Sequence, residues 1–267
     1  MKLFVKKYSE KRFFEEVTYL HCSIKVIKLR MFFNVYFFEG TLIDTGPTSM
    51  TGDLHSFFKA LPIEQVAITH IHEDHCGHAA WLQKEKKAKI FVPEPSIADC
   101  RKSVIVPKYR EIVWGNREGF EPAPLPSEIF AGKFKFEVIK TPGHIEDHVA
   151  FFCKEKGWLF TGDLFVSVKQ NLAFISENIA VEMETLKKLL AYDFEYIFCP
   201  HSGINKNGKE LIKKKYDYFL SLKEKIRDLQ LKSFSEEEIE KKLFNRFHPF
   251  KLVSKGEWSA KNLIRTI

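Results

Sequence analysis

A chain of 267 residues, 45% hydrophobic and 29% charged, can form one large domain, or one domain with an appendage, around a sizeable core. No stretch approaches the ~20 consecutive apolar residues of a membrane-spanning helix, and the first residues, MKLFVKKYSEKRFFEE, lack the apolar segment and small-residue cleavage site of a signal peptide. The five cysteines (Cys22, Cys76, Cys100, Cys153, Cys199) form no CxxC pair, which argues against a disulfide framework and a cysteine-based zinc finger. A cytoplasmic protein with no membrane association is the default expectation, and Cys76 and Cys199 read as small buried hydrophobes. The net charge of +7 is uneven: residues 1–205 carry 26 basic and 26 acidic side chains, residues 206–267 carry 16 and 9. A basic tail suits an acidic partner or nucleic acid, but a solvated, lysine-rich helix surface is the preferred reading.

In chain order, MFFNVYFFEGTLIDTGP predicts two strands around Glu39-Gly40, the second ending at Asp44-Thr45-Gly46. Apolar residues at 54, 57, 58 and 61 predict a helix. EQVAITHIHEDH reads as a buried strand running into a histidine cluster, with CGHAAWLQKEKKAK as the helix behind it and KIFVPE as the next strand. SIADCRKSVIVPKYREIVWG predicts a helix interrupted or kinked at Pro107, within a segment (94–127) suited to a lid or pocket wall. FKFEVIKTPGH is a strand ending at His144, and HVAFFCKEKGWLFTGDLF a hairpin turning at Glu155-Lys156-Gly157 with Asp163 past its second strand. EMETLKKLLAY is an amphipathic helix, and YIFCPHSG a strand ending at His201. Helices follow over GKELIKKKYDYFLSLKEKIRDLQ and SFSEEEIEKKLFNRF, the latter opened by a Ser235/Glu238 capping box. The alternation indicates an α/β layered fold, with a division into residues 1–205 and a basic helical extension, 206–267.

His70 to His75, His144, Asp163 and His201 each follow an apolar strand where the chain turns into a loop, and ligands at strand ends on one rim of a sheet converge. Imidazoles and carboxylates suit Zn(II), Mn(II) or Fe(II). Seven ligands are too many for one ion and about right for two sharing a carboxylate. His70 and His72, two apart on extended chain, point the same way and can grip one ion, completed by His144. Asp74 and His75, at a turn into a helix, can reach a second, completed by His201, with Asp163 as the bridge.

HIHEDH (70–75), TPGH (141–144), TGDLF (161–165), CPHSG (199–203) and LIDTG (42–46), in the family's order along the chain, resemble the metallo-β-lactamase superfamily over roughly residues 30–205. The resemblance implies a four-layer αββα sandwich and two Zn(II) ions, with Mn or Fe as alternatives. It implies the same ligand division: His70, His72 and His144 for one ion; Asp74, His75 and His201 for the other; Asp163 bridging; Asp44 supporting the ligands. Asp74 would also be catalytic, orienting the nucleophile and passing a proton to the leaving group. His21, His55 and His248 are read as structural and His78 as helix surface. His148 and Asp147 are equally placed between ligand support and plain strand, and Tyr109, Arg110 and Trp114 are expected in core or surface.

Asp163 stands where true β-lactamases generally carry cysteine or serine, and His72 where flavodiiron proteins carry glutamate. Neither antibiotic hydrolysis nor oxygen reduction is therefore expected, and no long insertion marks an RNA-processing nuclease. The sequence is similar to glyoxalase II and compact β-lactamase-like hydrolases, although glutathione-binding residues are not identifiable in 206–267. The expected function is hydrolysis of an ester, thioester or lactone in a small substrate. The alternatives are an endoribonuclease or phosphodiesterase using the basic tail, for which an aromatic base platform is missing, and a mononuclear iron persulfide dioxygenase, against which the full ligand set argues.

Overall fold

The computed structural model describes residues 5–244 and 249–267, so the expectation for His248 lies outside the described residues. One sheet runs in the order β1 (Val5–Phe14), β2 (Val17–Val26), β3 (Leu29–Phe38), β4 (Thr41–Ile43), β5 (Gln65–Ala67), β6 (Lys89–Val92), β7 (Ala123–Pro124). It is antiparallel through β4 and parallel from β4 to β7. A second sheet contains β8 (Glu128–Ala131), β9 (Phe134–Lys140), β10 (Val149–Cys153) and β11 (Trp158–Phe160). Beyond a short strand β12 (Ala173–Phe174), it is completed by β13 (Tyr196–Cys199) and β14 (Gly203–Lys206), in the order β14-β13-β11-β10-β9-β8. β12 pairs with β15 (Trp258–Ser259).

Three apolar layers account for the architecture. Successive side chains of a strand face opposite sides of its sheet, and here both sides are buried. Ile43 and Ala67 of the first sheet meet Phe151, Trp158, Phe160 and Phe198 of the second in a core between the sheets. Their neighbours Leu42 and Val66 turn the other way, onto Leu54, Phe57 and Phe58 of α1 (Thr51–Lys59). After a short α2 (Glu73–Cys76), α3 (Ala79–Lys86) adds Leu82 to this outer layer. Ala150, Phe152, Leu159 and Ile197 likewise leave the second sheet's inner face for an outer helical layer. The order helix–sheet–sheet–helix is the αββα sandwich expected from the sequence.

The predicted strands around 39–40, the helix over 54–61 and the 154–157 hairpin are present. The β1–β2 hairpin answers to no predicted element, because β1 is an exposed edge strand with no apolar alternation; its charged residues protect that edge from further pairing. Of the two forms expected for the helix at Pro107 the interrupted one is found, as α4 (Ile97–Cys100) and α5 (Lys108–Val113). Pro107 disfavours helix at the residue before it, and the stretch between the two helices bridges Val104 to Arg117. The buried Arg117 guanidinium caps α4 by donating to the carbonyls of Asp99 (2.9 Å) and Cys100 (3.1 Å).

The second outer layer holds α6 (Ile179–Leu189), α7 (Gly208–Leu231) and α8 (Glu236–Leu243) and, after a short α9 (Pro249–Val253), α10 (Ala260–Thr266). Residues after 206 share its core: Ile212, Phe219 and Ile226 of α7, Ile239 of α8 and Leu263 of α10 pack with Ile179 and Leu186 of α6. The Ser235/Glu238 capping box is formed. Lys209, Lys213, Lys214, Lys223 and Lys225 occupy the solvent face of α7, but Lys215 points inward. Its ammonium, 1% exposed, lies 2.6 Å from Glu182 Oε1 and donates to the Leu164 carbonyl at 2.6 Å. Removing one partner leaves a buried charge unpaired. Lys215→Met is therefore expected to cost about 3–5 kcal/mol in urea unfolding, with most of it recovered in Lys215→Met/Glu182→Met; equal stability of all three proteins would contradict a paired interior charge.

Candidate metal centre

His70 lies just beyond the end of β5, His72 caps α2, and His144 follows β9. His70 Nε2 and His144 Nε2 each sit 3.0 Å from His72 Nδ1. Three imidazole nitrogens crowded around one point cannot all be satisfied by sharing protons. Tetrahedral Zn–N bonds of ~2.0–2.1 Å would set such nitrogens roughly 3.3 Å apart, so the spacing suits a shared cation.

A second set lies beside it. Asp74 and His75 come from α2, Asp163 from the turn after β11, and His201 from just past β13. Asp163 Oδ1 is 3.2 Å from both His75 Nε2 and His201 Nε2, while its Oδ2 is 3.5 Å from His144 Nε2. Its two oxygens thus face different histidine sets. Asp74 Oδ2 is 3.4 Å from His201 Nε2. His70/His72/His144, His70/His75/Asp163 and Asp74/His75/His201 each bring one donor atom per residue within 4.8 Å of one another. His75 Nε2 and Asp163 Oδ1 are buried without a hydrogen-bond partner, as expected of atoms that serve a cation. All seven sequence-selected residues are brought together.

Outer contacts fix which ring nitrogen faces inward. His201 Nδ1 donates to the Phe32 carbonyl at 2.8 Å, which turns Nε2 toward the cluster. Asp44 Oδ2 holds His75 Nδ1 at 2.9 Å and accepts from the Thr69 hydroxyl, which in turn contacts His70 Nδ1 at 3.1 Å. His144 Nδ1 meets Glu177 Oε1 at 2.8 Å. Such carboxylate–histidine contacts set the tautomer and basicity of a ligating ring. Glu177 escapes a sequence reading because it lies in a loop with no motif around it. His148 supports the ligands rather than a plain strand: its Nε2 accepts from the Asp163 amide at 3.2 Å, and its Nδ1 bonds the Thr141 hydroxyl at 2.8 Å. A Cβ at Gly162, whose φ is +48°, would stand 2.5 Å from that Nε2, so the turn presenting Asp163 needs glycine. Asp147 instead bonds Ser96.

Burial and the neighbouring imidazoles hold His70 and His72 well below the usual histidine pKa, so their lone pairs are free. At His75 and His201 burial works the same way but is outweighed by the carboxylates, chiefly Asp163, and both are raised. Asp74 is held at about 2, the field of His75 and His201 outweighing its burial. The cluster therefore combines imidazoles with ionised carboxylates, a donor set that attracts a hard-to-borderline cation.

The cluster forms the floor of a cavity of about 490 Å³. Tyr109, Arg110 and Trp114, expected in core or surface, line it, the first two from α5. Arg110 Nε donates to Glu73 Oε1 at 2.6 Å in a bidentate pair.

This is an αββα protein with a histidine–carboxylate cluster at one edge of its sheets. Residues 34–201 match the model of the metallo-beta-lactamase superfamily, and the chain belongs to that family. Among curated relatives, the hydroxyacylglutathione hydrolase of Idiomarina loihiensis is 29% identical over 148 residues, covering 54% of this chain and 49% of the relative. The chain spans about half the length of the curated relatives it matches. A beta-lactamase domain protein from Burkholderia ambifaria superimposes with a TM-score of 0.65 at 16% identity, covering 98% of this chain and 85% of that one. A metallo-beta-lactamase family protein from Thermus thermophilus does so with 0.61 at 16%, covering 98% and 92%. Among the described residues no helix is long and apolar enough to cross a membrane.

His21, His55 and His78 are not part of the cluster. His21 bonds Asn34 at 2.9 Å, and His55 stacks on Trp81. His78 is buried rather than on a helix surface, its Nε2–H donating to the Pro47 carbonyl at 3.1 Å. Burial, then His55, lowers its pKa to about 4. Below pH ~6.5 the unfolded chain takes up a proton that folded His78 refuses, so its contribution to stability is full above that pH and is lost as pH falls toward 4. The stability advantage of wild type over His78→Gln should shrink by roughly 2 kcal/mol between pH 7 and pH 5; denaturant titrations with a pH-independent difference would contradict this.

Proposed function

We propose that the protein is a dinuclear metal-dependent hydrolase that cleaves an ester, thioester or lactone bond in a small substrate. The observation that carries the reading is Asp163, whose two oxygens face the two histidine sets. His70, His72 and His144 would hold one ion and Asp74, His75 and His201 the other, with Asp163 between them; zinc is the usual choice for this donor set, manganese or iron the alternatives. When bound, such ions supply an activated water and a Lewis acid for attack on a carbonyl or phosphoryl centre.

The chain's own residues perform the rest. Asp74 lines the cavity floor ionised, where it accepts a hydrogen bond from the attacking water and can relay its proton to the leaving group. Glu177 and Asp44 keep His144 and His75 from rotating out of position. The cavity, with a volume suited to a small organic molecule, positions the scissile bond over the floor. The hydrolase named by the curated relatives acts on hydroxyacylglutathione, which supports acyl-bond hydrolysis here.

Elemental mass spectrometry of untagged protein should find about two zinc or manganese ions per chain; about one iron per chain, with oxygen uptake on a persulfide, would favour the dioxygenase instead. Glu177→Gln should weaken metal binding by about 10–100-fold in competition with a chromophoric chelator. Asp163→Ala should weaken it further and abolish turnover of ester and thioester panels. Full occupancy and turnover in Asp163→Ala would overturn the bridging assignment.

A further inference from the structure

The walls of the cavity differ in character from its floor. Trp114 stands beside the second ligand set, its ring 5.8 Å from that of His201. Phe174 stands beside the first, 5.9 Å from His72, and Trp258 packs on Phe174 at 5.1 Å. Val113, Leu172 and the rim residue Phe32 extend this apolar lining. The half-buried guanidinium in the walls, that of Arg110, is neutralised by Glu73 and lies over the Phe174 ring at 5.1 Å, presenting stacked planar surface rather than a free charge. Among the described residues, the cavity's other lysine and arginine side chains, Arg30 and Lys169, are solvent-exposed.

Trp258 reaches the site from the far end of the chain and is held there from two sides. Phe174 and Trp258 are partners in the β12–β15 ladder, which joins the tail to the loop after Asp163. The preceding residue, Glu257, bonds the Tyr109 hydroxyl of α5, on the opposite segment of the wall. Asn262 fixes the same turn from α10, donating to the carbonyls of Glu257 (2.9 Å) and Ala173 (3.2 Å). An indole anchored this firmly between two wall segments is a surface for a ligand.

We propose, building on the hydrolase reading, that the site selects substrates with an extended apolar acyl group, seated against Trp114 and the Phe174–Trp258 pair, and that Trp258 is a specificity-determining residue. In a thioester of this class, the water oxygen bonds to the carbonyl carbon and the C–S bond breaks. The products are the fatty carboxylate and the free thiol, and one proton is released.

Two measurements on the metal-loaded full chain test this. The first needs no catalysis: 3-(octylthio)propanoate, which cannot be hydrolysed, should bind about tenfold or more tightly than 3-(ethylthio)propanoate by calorimetry, the ~six added methylenes being the only difference. The second compares S-octanoyl and S-acetyl esters of 3-mercaptopropanoate by thiol release; kcat/KM should favour octanoyl about tenfold or more. Trp258→Ala should reduce both ratios at least about fivefold, and Trp258→Phe should restore most of each. Turnover with no chain-length preference would overturn the inference and leave the hydrolase standing. Preferential octyl binding without turnover of any thioester, ester or lactone would do the reverse. Equal binding of the two thioethers overturns the inference whatever the variants do.

Discussion

Bringing ring nitrogens of separate histidines to within 3.0 Å of one another in a buried pocket is the constraint on which the rest of this structure depends. The imidazoles of the cluster, removed from bulk water, crowd their nitrogens together and lose hydration. Nothing in the cluster itself fixes which ring nitrogen points inward, so the surrounding chain must do so. Asp44, Glu177, Thr69 and the Phe32 carbonyl each claim an outer nitrogen, and each belongs to a different segment from the ring it holds, save Thr69 beside His70. The cluster therefore requires the fold to be correct in several places at once.

The sandwich meets that requirement with directional contacts where apolar packing alone would be too permissive. The core between the sheets is largely aromatic and aliphatic, and burial is indifferent to small slips. At the edge bearing the site, hydrogen bonds between the two sheets set the register. The Tyr36 hydroxyl donates to the Cys199 carbonyl at 2.7 Å, Asn34 Nδ2 donates to the Pro200 carbonyl at 2.7 Å, and the Val149 amide donates to the Thr69 carbonyl at 3.0 Å. Thr69 precedes His70 and Pro200 precedes His201, so these contacts sit next to the residues whose separation matters. A hydrogen bond tolerates a few tenths of an ångström, a precision that a hydrophobic contact does not enforce.

How much of this can be read from the sequence follows the range of the interactions. The strands leading into His70, His144, Asp163 and His201 are legible because each is a short apolar run ending in a polar turn, a local pattern. The capping box at Ser235 and the hairpin at 154–157 are legible for the same reason. Glu177 is not, since nothing within its own segment marks it as the partner of His144, 33 residues earlier. Arg110 and Tyr109 are misplaced by sequence because side-chain type says nothing about which way α5 faces once Pro107 has broken the helix. Lys215 is the sharpest case: its spacing from Ile212, Phe219 and Leu222 places it on the apolar face of α7, but the partners that hold its charge there, Glu182 and the Leu164 carbonyl, come from distant segments.

Lys215 and Trp258 also explain how the basic, helical end of the chain belongs to the site. The Lys215 ammonium ties α7 to Leu164, the residue after Asp163, and to Glu182 of α6, against which the loop before His144 packs closely at Gly143. Trp258 closes the wall beside His72 through Phe174. One contact supports the floor from behind and the other shapes the space above it. The donor atoms come from the sheet edge, where geometry is set by strand register and leaves little freedom. The walls come from α5, the loop after Asp163 and the tail, which the sheets do not constrain. A protein built this way can keep its histidine–carboxylate cluster while the space above it changes, because the two are specified by different parts of the chain.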